Sequence, residues 1–91
     1  MQSSKAEYNI TLNIVRPGAS VLDLGCGDGE LLSLLSQEKN VTRAQGIEID
    51  EQAIYRCVAR GLSVYHGDID SGLVEYADNS FDYVILNQSF Q

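Results

Sequence analysis

The stretch Val21-Leu-Asp-Leu-Gly-Cys-Gly-Asp-Gly29 decides the fold of this 91-residue chain. Its first four residues form a short, mostly apolar run, which is typical of a buried parallel strand. Gly25 permits a tight turn, and Gly27 allows a ligand to approach the backbone closely. Gly29 opens an amphipathic helix, whose free N–H groups attract an anionic group. We call residues 25–29 the glycine loop, and it predicts a strand–loop–helix unit that binds a ligand.

Strands and helices alternate along the rest of the chain. Asp50 is a good N-cap for the helix that follows the second strand, and Gly61 is its C-terminal stop. This alternation predicts a parallel sheet with right-handed crossovers. The predicted strands are 21–24, 45–49, 62–66 and 81–86, and the predicted helices are 30–40 and 51–60. In the second of these helices, Ile54, Cys57 and Val58 are expected to face inward. Residues 67–80 are expected to form a loop with one helical turn around 73–76.

Residues 8–14 have an ambiguous pattern. Apolar and polar residues alternate, which by period alone favours a half-buried strand. In a helix, Tyr8, Leu12 and Val15 would share one face, but Ile10 and Ile14 would fall on the opposite side. The pattern taken by itself therefore predicts a strand before Pro17-Gly18.

Polar or glycine residues follow each predicted strand, at the edge where parallel sheets bind ligands. These positions are the glycine loop, Glu48, Gly67-Asp68 and Asn87. Glu48 comes nineteen residues after Gly29, at the end of the next strand, where a carboxylate accepts both hydroxyls of a ribose. The loop and this acid together predict an adenosine-type ligand.

Charge and composition exclude several classes of function. Thirteen acidic against six basic residues give a net charge of −7, so the basic face of a nucleic-acid binder is not expected, nor is binding to an anionic membrane. The longest apolar run is far shorter than the ~20 residues of a membrane span, and a polar N-terminus predicts a cytoplasmic protein. Cys26, Cys57 and a single histidine predict neither a zinc site nor a disulfide framework.

Four motifs carry a resemblance to a known superfamily. Residues 21–29 resemble the first motif of class I S-adenosylmethionine-dependent methyltransferases, with glycines spaced G-x-G-x-G rather than the G-x-G-x-x-G of nicotinamide-binding domains. Residues 46–50 (Gly-Ile-Glu-Ile-Asp), 66–69 (His-Gly-Asp-Ile) and 80–84 (Ser-Phe-Asp-Tyr-Val) resemble the later motifs, in order. The resemblance implies a Rossmann-like α/β three-layer sandwich with strand order 3-2-1-4, truncated after the fourth strand. It makes residues 1–91 one partial domain, and it favours a helix over residues 8–14.

Within that superfamily the chain is most similar to the methionine biosynthesis protein MetW family. Cys57-Val58 and Arg60-Gly61-Leu62 add to this similarity. That family resembles methyltransferases and is associated with the homoserine acyltransferase of methionine synthesis. The similarity therefore implies a methyltransferase with S-adenosylmethionine as cofactor and S-adenosylhomocysteine as product. The alternative from another class is a non-catalytic, cofactor-binding regulatory or partner module of homoserine acyltransferase.

The resemblance implies where the methionine part of the cofactor would lie. Gly25, Gly27 and Gly29 would line it, and Cys26 belongs to the same cofactor-binding loop. Asp23 would hold the loop and face the ammonium group, although it could also only cap the loop backbone. Acids offset the positive charges of the cofactor. Methyl transfer depends mainly on positioning, so no catalytic triad and no metal are expected.

The resemblance also assigns the adenosine part. Glu48 would accept the ribose hydroxyls, and Ile49 would pack on the adenine. Asp68 would take the adenine amino group, and the Ile69 N–H would reach a ring nitrogen. In the truncated sheet, residues 83–86 would be an open, apolar edge, and we expect a homodimer or an association with a further segment through it.

Overall fold

A computed structural model describes residues 5–75 and 81–86 of the chain. In this part of the chain, four strands form one parallel sheet in the order β3-β2-β1-β4. The sheet order and the three-layer α/β architecture are as predicted. The elements are α1 Lys5–Ile14, β1 Ser20–Leu24, α2 Glu30–Lys39, β2 Arg43–Glu48, α3 Glu51–Ala59, β3 Ser63–His66, α4 Ile69–Glu75 and β4 Tyr83–Leu86. Asn87 lies outside the described residues.

The two faces of the sheet carry separate apolar clusters because side chains alternate along each strand. On one face, Val21 of β1 packs with residues of α1, α2 and α3. On the other face, Leu22, Leu24 and Ile47 pack with Ile69 of α4. The clusters enclose β1, one of the two inner strands, whose carboxyl end leads into the glycine loop.

The first element is a helix, so the strand prediction from the alternating pattern is wrong. Leu12 and Val15 are buried against the sheet. Ile10 and Ile14 are 62% and 63% exposed on the outer side of α1. The alternation thus arises from isoleucines that face solvent, and the helix implied by the family resemblance is confirmed.

Helix α3 has the predicted ends but not the whole predicted inner face. The Asp50 carboxylate accepts a hydrogen bond from the Gln52 N–H at 3.3 Å, which caps the helix. Gly61 follows it with a φ of +80°, a conformation that favours glycine at a helix end. Cys57 is buried as expected, but Val58 is 61% exposed, and Ala53 is buried instead.

Residues 69–75 form a helix of two turns, α4, where a loop with one turn was predicted. Gly72 lies on its inner side, where an added Cβ would be 2.6 Å from Leu24 Cδ2 and 3.3 Å from Ile47 Cγ1. A glycine inside a helix costs roughly 1 kcal/mol relative to alanine, which is why the sequence favours a loop here. The close approach of α4 to the sheet requires this glycine.

Exposed apolar side chains lie along β4, one of the two outer strands of the described sheet. Val84 and Leu86 of β4 are both exposed, on the face that α4 covers in part.

Among the residues that the structure describes, no helix is long and apolar enough to cross a lipid bilayer.

Candidate functional site

The glycine loop crosses the carboxyl end of β2. The N–H groups of Gly25 and Cys26 both donate to the Ile47 carbonyl, at 2.8 and 3.0 Å. These two hydrogen bonds continue the pairing of β1 with β2 for one step beyond Leu24. The loop is therefore fixed at its start to the strand that carries Glu48.

Glu48 holds the middle of the loop. Its Oε1 accepts a hydrogen bond from the Gly27 N–H at 2.7 Å, and its Oε2 accepts one from the Asp50 N–H at 3.0 Å. Gly27 has a φ of +60°, and a Cβ added to it would meet nothing within 4 Å. The surface of the loop beside Glu48 is thus open, and the carboxylate is oriented by two backbone donors.

A tight turn leads from the loop into α2. The Gly29 N–H donates to the Cys26 carbonyl at 3.1 Å, and Gly29 has a φ of +87°. The Asp28 carboxylate accepts a hydrogen bond from the Glu30 N–H at 3.1 Å. Asp28 therefore satisfies one of the free N–H groups at the start of the helix.

Two acidic side chains lie close to the loop residue Cys26. Asp23 is fully buried at the end of β1, and Glu48 is half-buried beside Gly27. Burial raises the pKa of the Cys26 thiol, and the nearby Cys57, Asp23 and Glu48 raise it further. Both acids thus lie near the same loop residue and disfavour its thiolate form.

The end of β3 is joined to the same region. The Gly67 N–H donates to the Glu48 carbonyl at 3.0 Å, and His66 Nε2 lies 3.1 Å from the Ile49 carbonyl. The Ile49 side chain is 60% exposed. The ends of β1, β2 and β3 therefore meet at one edge of the sheet, as the sequence predicts.

Asp68 and Ile69 form the start of α4. The Asp68 Oδ1 accepts a hydrogen bond from the Ser71 N–H at 2.8 Å, which lowers the pKa of this exposed carboxyl. The Ile69 side chain packs against the apolar cluster on the second face of the sheet. Asp68 is thus a helix cap, and its assignment to the adenine amino group stays a prediction.

Residues at the end of α3 also contact the glycine loop, and the sequence analysis missed them. The Cys57 thiol donates to the Gly27 carbonyl at 3.1 Å, and its sulfur lies 3.8 Å from Cys26 Sγ. Arg60 Nε donates to the Asp28 carbonyl at 3.0 Å. These contacts join residues about thirty positions apart, so no local pattern could have indicated them.

Comparisons with known proteins identify the family of the chain. Residues 5–91 match the family model of the methionine biosynthesis protein MetW. The chain is 37% identical over 87 residues to the bifunctional methionine biosynthesis protein MetXA/MetW of Rhodopirellula baltica, a match that covers 88% of this chain and 14% of that protein. It is 38% identical over 74 residues to the ribosomal protein L11 methyltransferase of Burkholderia lata, covering 80% of this chain and 24% of that protein.

Solved structures show the same fold. A methyltransferase from Thiobacillus denitrificans in complex with S-adenosylhomocysteine has a TM-score of 0.69 and 25% identity, over 94% of this chain and 37% of that chain. A precorrin-6y C5,15-methyltransferase from Geobacter metallireducens has a TM-score of 0.73 over 97% of this chain and 50% of that chain; at 18% identity it bears on the fold alone. The chain thus has the fold of class I S-adenosylmethionine-dependent methyltransferases and spans a quarter or less of the length of the two curated relatives.

Proposed function

Because this chain belongs to the family of the methionine biosynthesis protein MetW, we propose that it binds S-adenosylmethionine at the glycine loop, as part of a methyltransferase linked to methionine biosynthesis. The observation that carries the proposal is the Glu48 carboxylate, oriented by the Gly27 and Asp50 N–H groups beside the open surface of the loop. A carboxylate at the end of the second strand is where this fold class holds a ribose.

The donors and acceptors on the adenosine side fit such a ligand. A carboxylate has about four acceptor positions, and the two backbone N–H groups use two of them. The remaining positions would accept the two ribose hydroxyls. The exposed side chain of Ile49 offers an apolar surface for the adenine, and we assign Asp68 and the Ile69 N–H to its polar edge.

The loop side fits the methionine part. Gly27 leaves the space above the loop backbone open, which lets a ligand approach it closely. We assign Gly25, Cys26 and Gly29 to the same surface. The Asp23 carboxyl is buried close to the loop, and as the carboxylate it would offset the ammonium group. When bound, the cofactor supplies an electrophilic methyl group on a sulfonium.

Calorimetric titration of the folded chain tests the cofactor. We expect saturable binding of S-adenosylmethionine and S-adenosylhomocysteine, and none of NAD. Glu48→Gln should weaken binding about 10- to 100-fold, since hydrogen bonds to a charged group contribute about 1.5–3 kcal/mol. Glu38→Gln, an exposed position on α2, is the matched control and should bind as the wild type does. Equal binding by the Glu48 variant, or none by the folded wild type, would refute the proposal.

Turnover separates an enzyme from a regulatory module. The name of the Rhodopirellula relative combines MetXA and MetW in one polypeptide, which supports a homoserine acyltransferase as the partner of this chain. We propose testing co-elution with such an acyltransferase and S-adenosylhomocysteine formation in the mixture. Product formation supports a methyltransferase, and a cofactor-dependent change in acyltransferase rate without product supports a regulatory module.

We also propose self-association through the outer strand β4. Its position at the side of the described sheet and the exposed Val84 and Leu86 favour pairing with another chain. Light scattering after size exclusion would measure the mass, and Leu86→Lys should shift a dimer to a monomer. A wild-type chain that stays monomeric at high concentration, with β4 amides protected from hydrogen exchange, would contradict self-association.

A further inference from the structure

Three side chains from one short segment contact three successive residues of the glycine loop. We call residues 57–62 the α3 C-terminal segment. The contacts run Cys57 to Gly27, Arg60 to Asp28 and Leu62 to Gly29. The segment therefore follows the loop residue by residue.

The first contact is a hydrogen bond inside the core. The Cys57 thiol is fully buried and donates to the Gly27 carbonyl at 3.1 Å, while Cys26 Sγ lies 3.8 Å from the Cys57 sulfur. Burial raises the pKa of both thiols, so they stay protonated near neutral pH and can donate. Gly27 is thus held through its carbonyl by Cys57 and through its N–H by Glu48.

The second contact is polar, and the third is apolar. Arg60 Nε donates to the Asp28 carbonyl at 3.0 Å, and its guanidinium lies 3.8 Å from the Asp28 carboxylate. A Cβ added to Gly29 would be 2.4 Å from Leu62 Cδ1, so Leu62 covers that glycine directly. The loop backbone has little room to move toward α3.

Backbone hydrogen bonds hold the segment together. The Leu62 N–H donates to the Cys57 carbonyl at 3.0 Å, and the Gly61 N–H donates to the Val58 carbonyl at 2.9 Å. This pair of bonds around a left-handed glycine is the Schellman motif that ends many helices. It fixes Cys57, Arg60 and Leu62 relative to one another, so the three contacts form one unit.

We propose that Cys57, Arg60 and Leu62 are positioning residues that hold the glycine loop in its cofactor-binding conformation without touching the cofactor. The proposal rests on the proposed function, because it assigns these residues to the S-adenosylmethionine site. Cys57, Arg60 and Leu62 lie within the stretches that resemble the family in sequence. A loop released from this segment would populate the binding conformation only in part, and affinity would fall by that fraction.

The test uses the full chain and compares Cys57→Ala with Cys57→Ser. Alanine removes the nearer of two thiol donors to the Gly27 carbonyl, since Cys26 Sγ lies 3.8 Å from the same oxygen, whereas serine keeps an O–H in place of the Cys57 thiol. Val58→Ala, an exposed position on the same helix, is the matched control. The readouts are hydrogen exchange of the Gly27 amide, measured against the amide of the buried Leu32, and the Kd for S-adenosylhomocysteine by calorimetry.

In Cys57→Ala we expect Gly27 exchange to rise about fivefold relative to Leu32, the factor that corresponds to one neutral hydrogen bond. The Kd should rise by up to the same factor, Cys57→Ser should recover much of both effects, and Val58→Ala should show neither. Equal acceleration of Gly27 and Leu32 would mean a purely structural role and would overturn the proposal. If hydrogen exchange rises selectively at Gly27 but the chain binds no S-adenosylhomocysteine, the proposed cofactor is refuted. The proposal that these residues position the loop would still stand.

Discussion

Gly46 offers the sharpest test of how the sheet and the glycine loop fit together. It lies within β2, and a Cβ added there would be 2.6 Å from Cys26 Sγ and 3.2 Å from both Cys26 Cβ and Leu32 Cδ1. These neighbours are buried, and real Cβ contacts below 3.0 Å are essentially never seen. Gly46→Ala must therefore displace the loop residue Cys26, the strand or α2.

The expected cost follows from this overlap. Overpacking in a core costs about 1–3 kcal/mol. Alanine also restricts the unfolded chain, which offsets about 0.4–1 kcal/mol of that cost. We expect Gly46→Ala to lower the free energy of unfolding by about 1–2 kcal/mol, out of about 5–13 kcal/mol for a chain of this length. Gly46 has no left-handed φ, so backbone strain does not contribute.

Urea unfolding measures this change against a matched control. Gly67→Ala is the control, because its added Cβ would make only an ordinary contact, 3.8 Å from Ile47 Cγ2. With a urea dependence of about 1 kcal/mol per M, Gly46→Ala should lower the midpoint by roughly 1–2 M, and the control should be neutral or slightly stabilised.

A double-mutant cycle with Cys26→Ala identifies the cause of the cost. Removing Sγ relieves the closest contact, so Gly46→Ala should be milder in that background by about 1 kcal/mol. Additive effects in the cycle, or equal midpoints for Gly46→Ala and Gly67→Ala, would refute the packing of β2 against the loop described above.

Three further predictions concern the same molecule. Gly29→Ala should destabilise more than Gly18→Ala, because both glycines are left-handed but only Gly29 also has close neighbours; thermal unfolding of the two variants would show the difference. Cys26 and Cys57 should resist iodoacetamide at pH 8 in the native chain and react fully in urea, because burial raises both thiol pKa values; rapid native labelling, counted by mass spectrometry, would contradict this. The hydrogen bond from the Ser20 N–H and the nearby Arg16 lower the pKa of Asp82. Its contribution to stability is therefore present above the ordinary pKa of 3.8 and is lost as the pH falls below that value. Asp82→Asn should make the free energy of unfolding depend less on pH in the acid range, and an unchanged dependence would exclude this contribution.

The fold could be predicted from the sequence where the pattern was local. The run that ends at Leu24, the glycine loop and the N-cap at Asp50 each depend on residues within a few positions, and each appears in the structure as expected. The first helix could not be predicted by periodicity, because Ile10 and Ile14 are apolar and exposed. A period of two assumes that apolar residues are buried, and here that assumption fails.

In helices α3 and α4, too, the local sequence pattern did not predict the structure that forms. Val58 has the spacing of an inward residue, but it is the smaller Ala53 that is buried instead. Gly72 lowers the helical propensity of its segment, but it allows α4 to approach Leu24 and Ile47. In both cases tertiary packing decides the outcome, and propensity taken over one segment cannot include it.

The candidate site also has one part that the sequence could predict and one part that it could not. The nearness of Glu48 to the loop could be predicted, because both follow neighbouring strands of a parallel sheet. What holds the loop in place could not be predicted, since Cys57 and Arg60 contact residues 27 and 28 from a different helix. Each cysteine looks isolated in the sequence, yet their sulfur atoms lie 3.8 Å apart beneath the loop. The chemistry of the site is therefore local in the sequence, whereas its preorganisation depends on contacts between distant residues, which only the packed structure brings together.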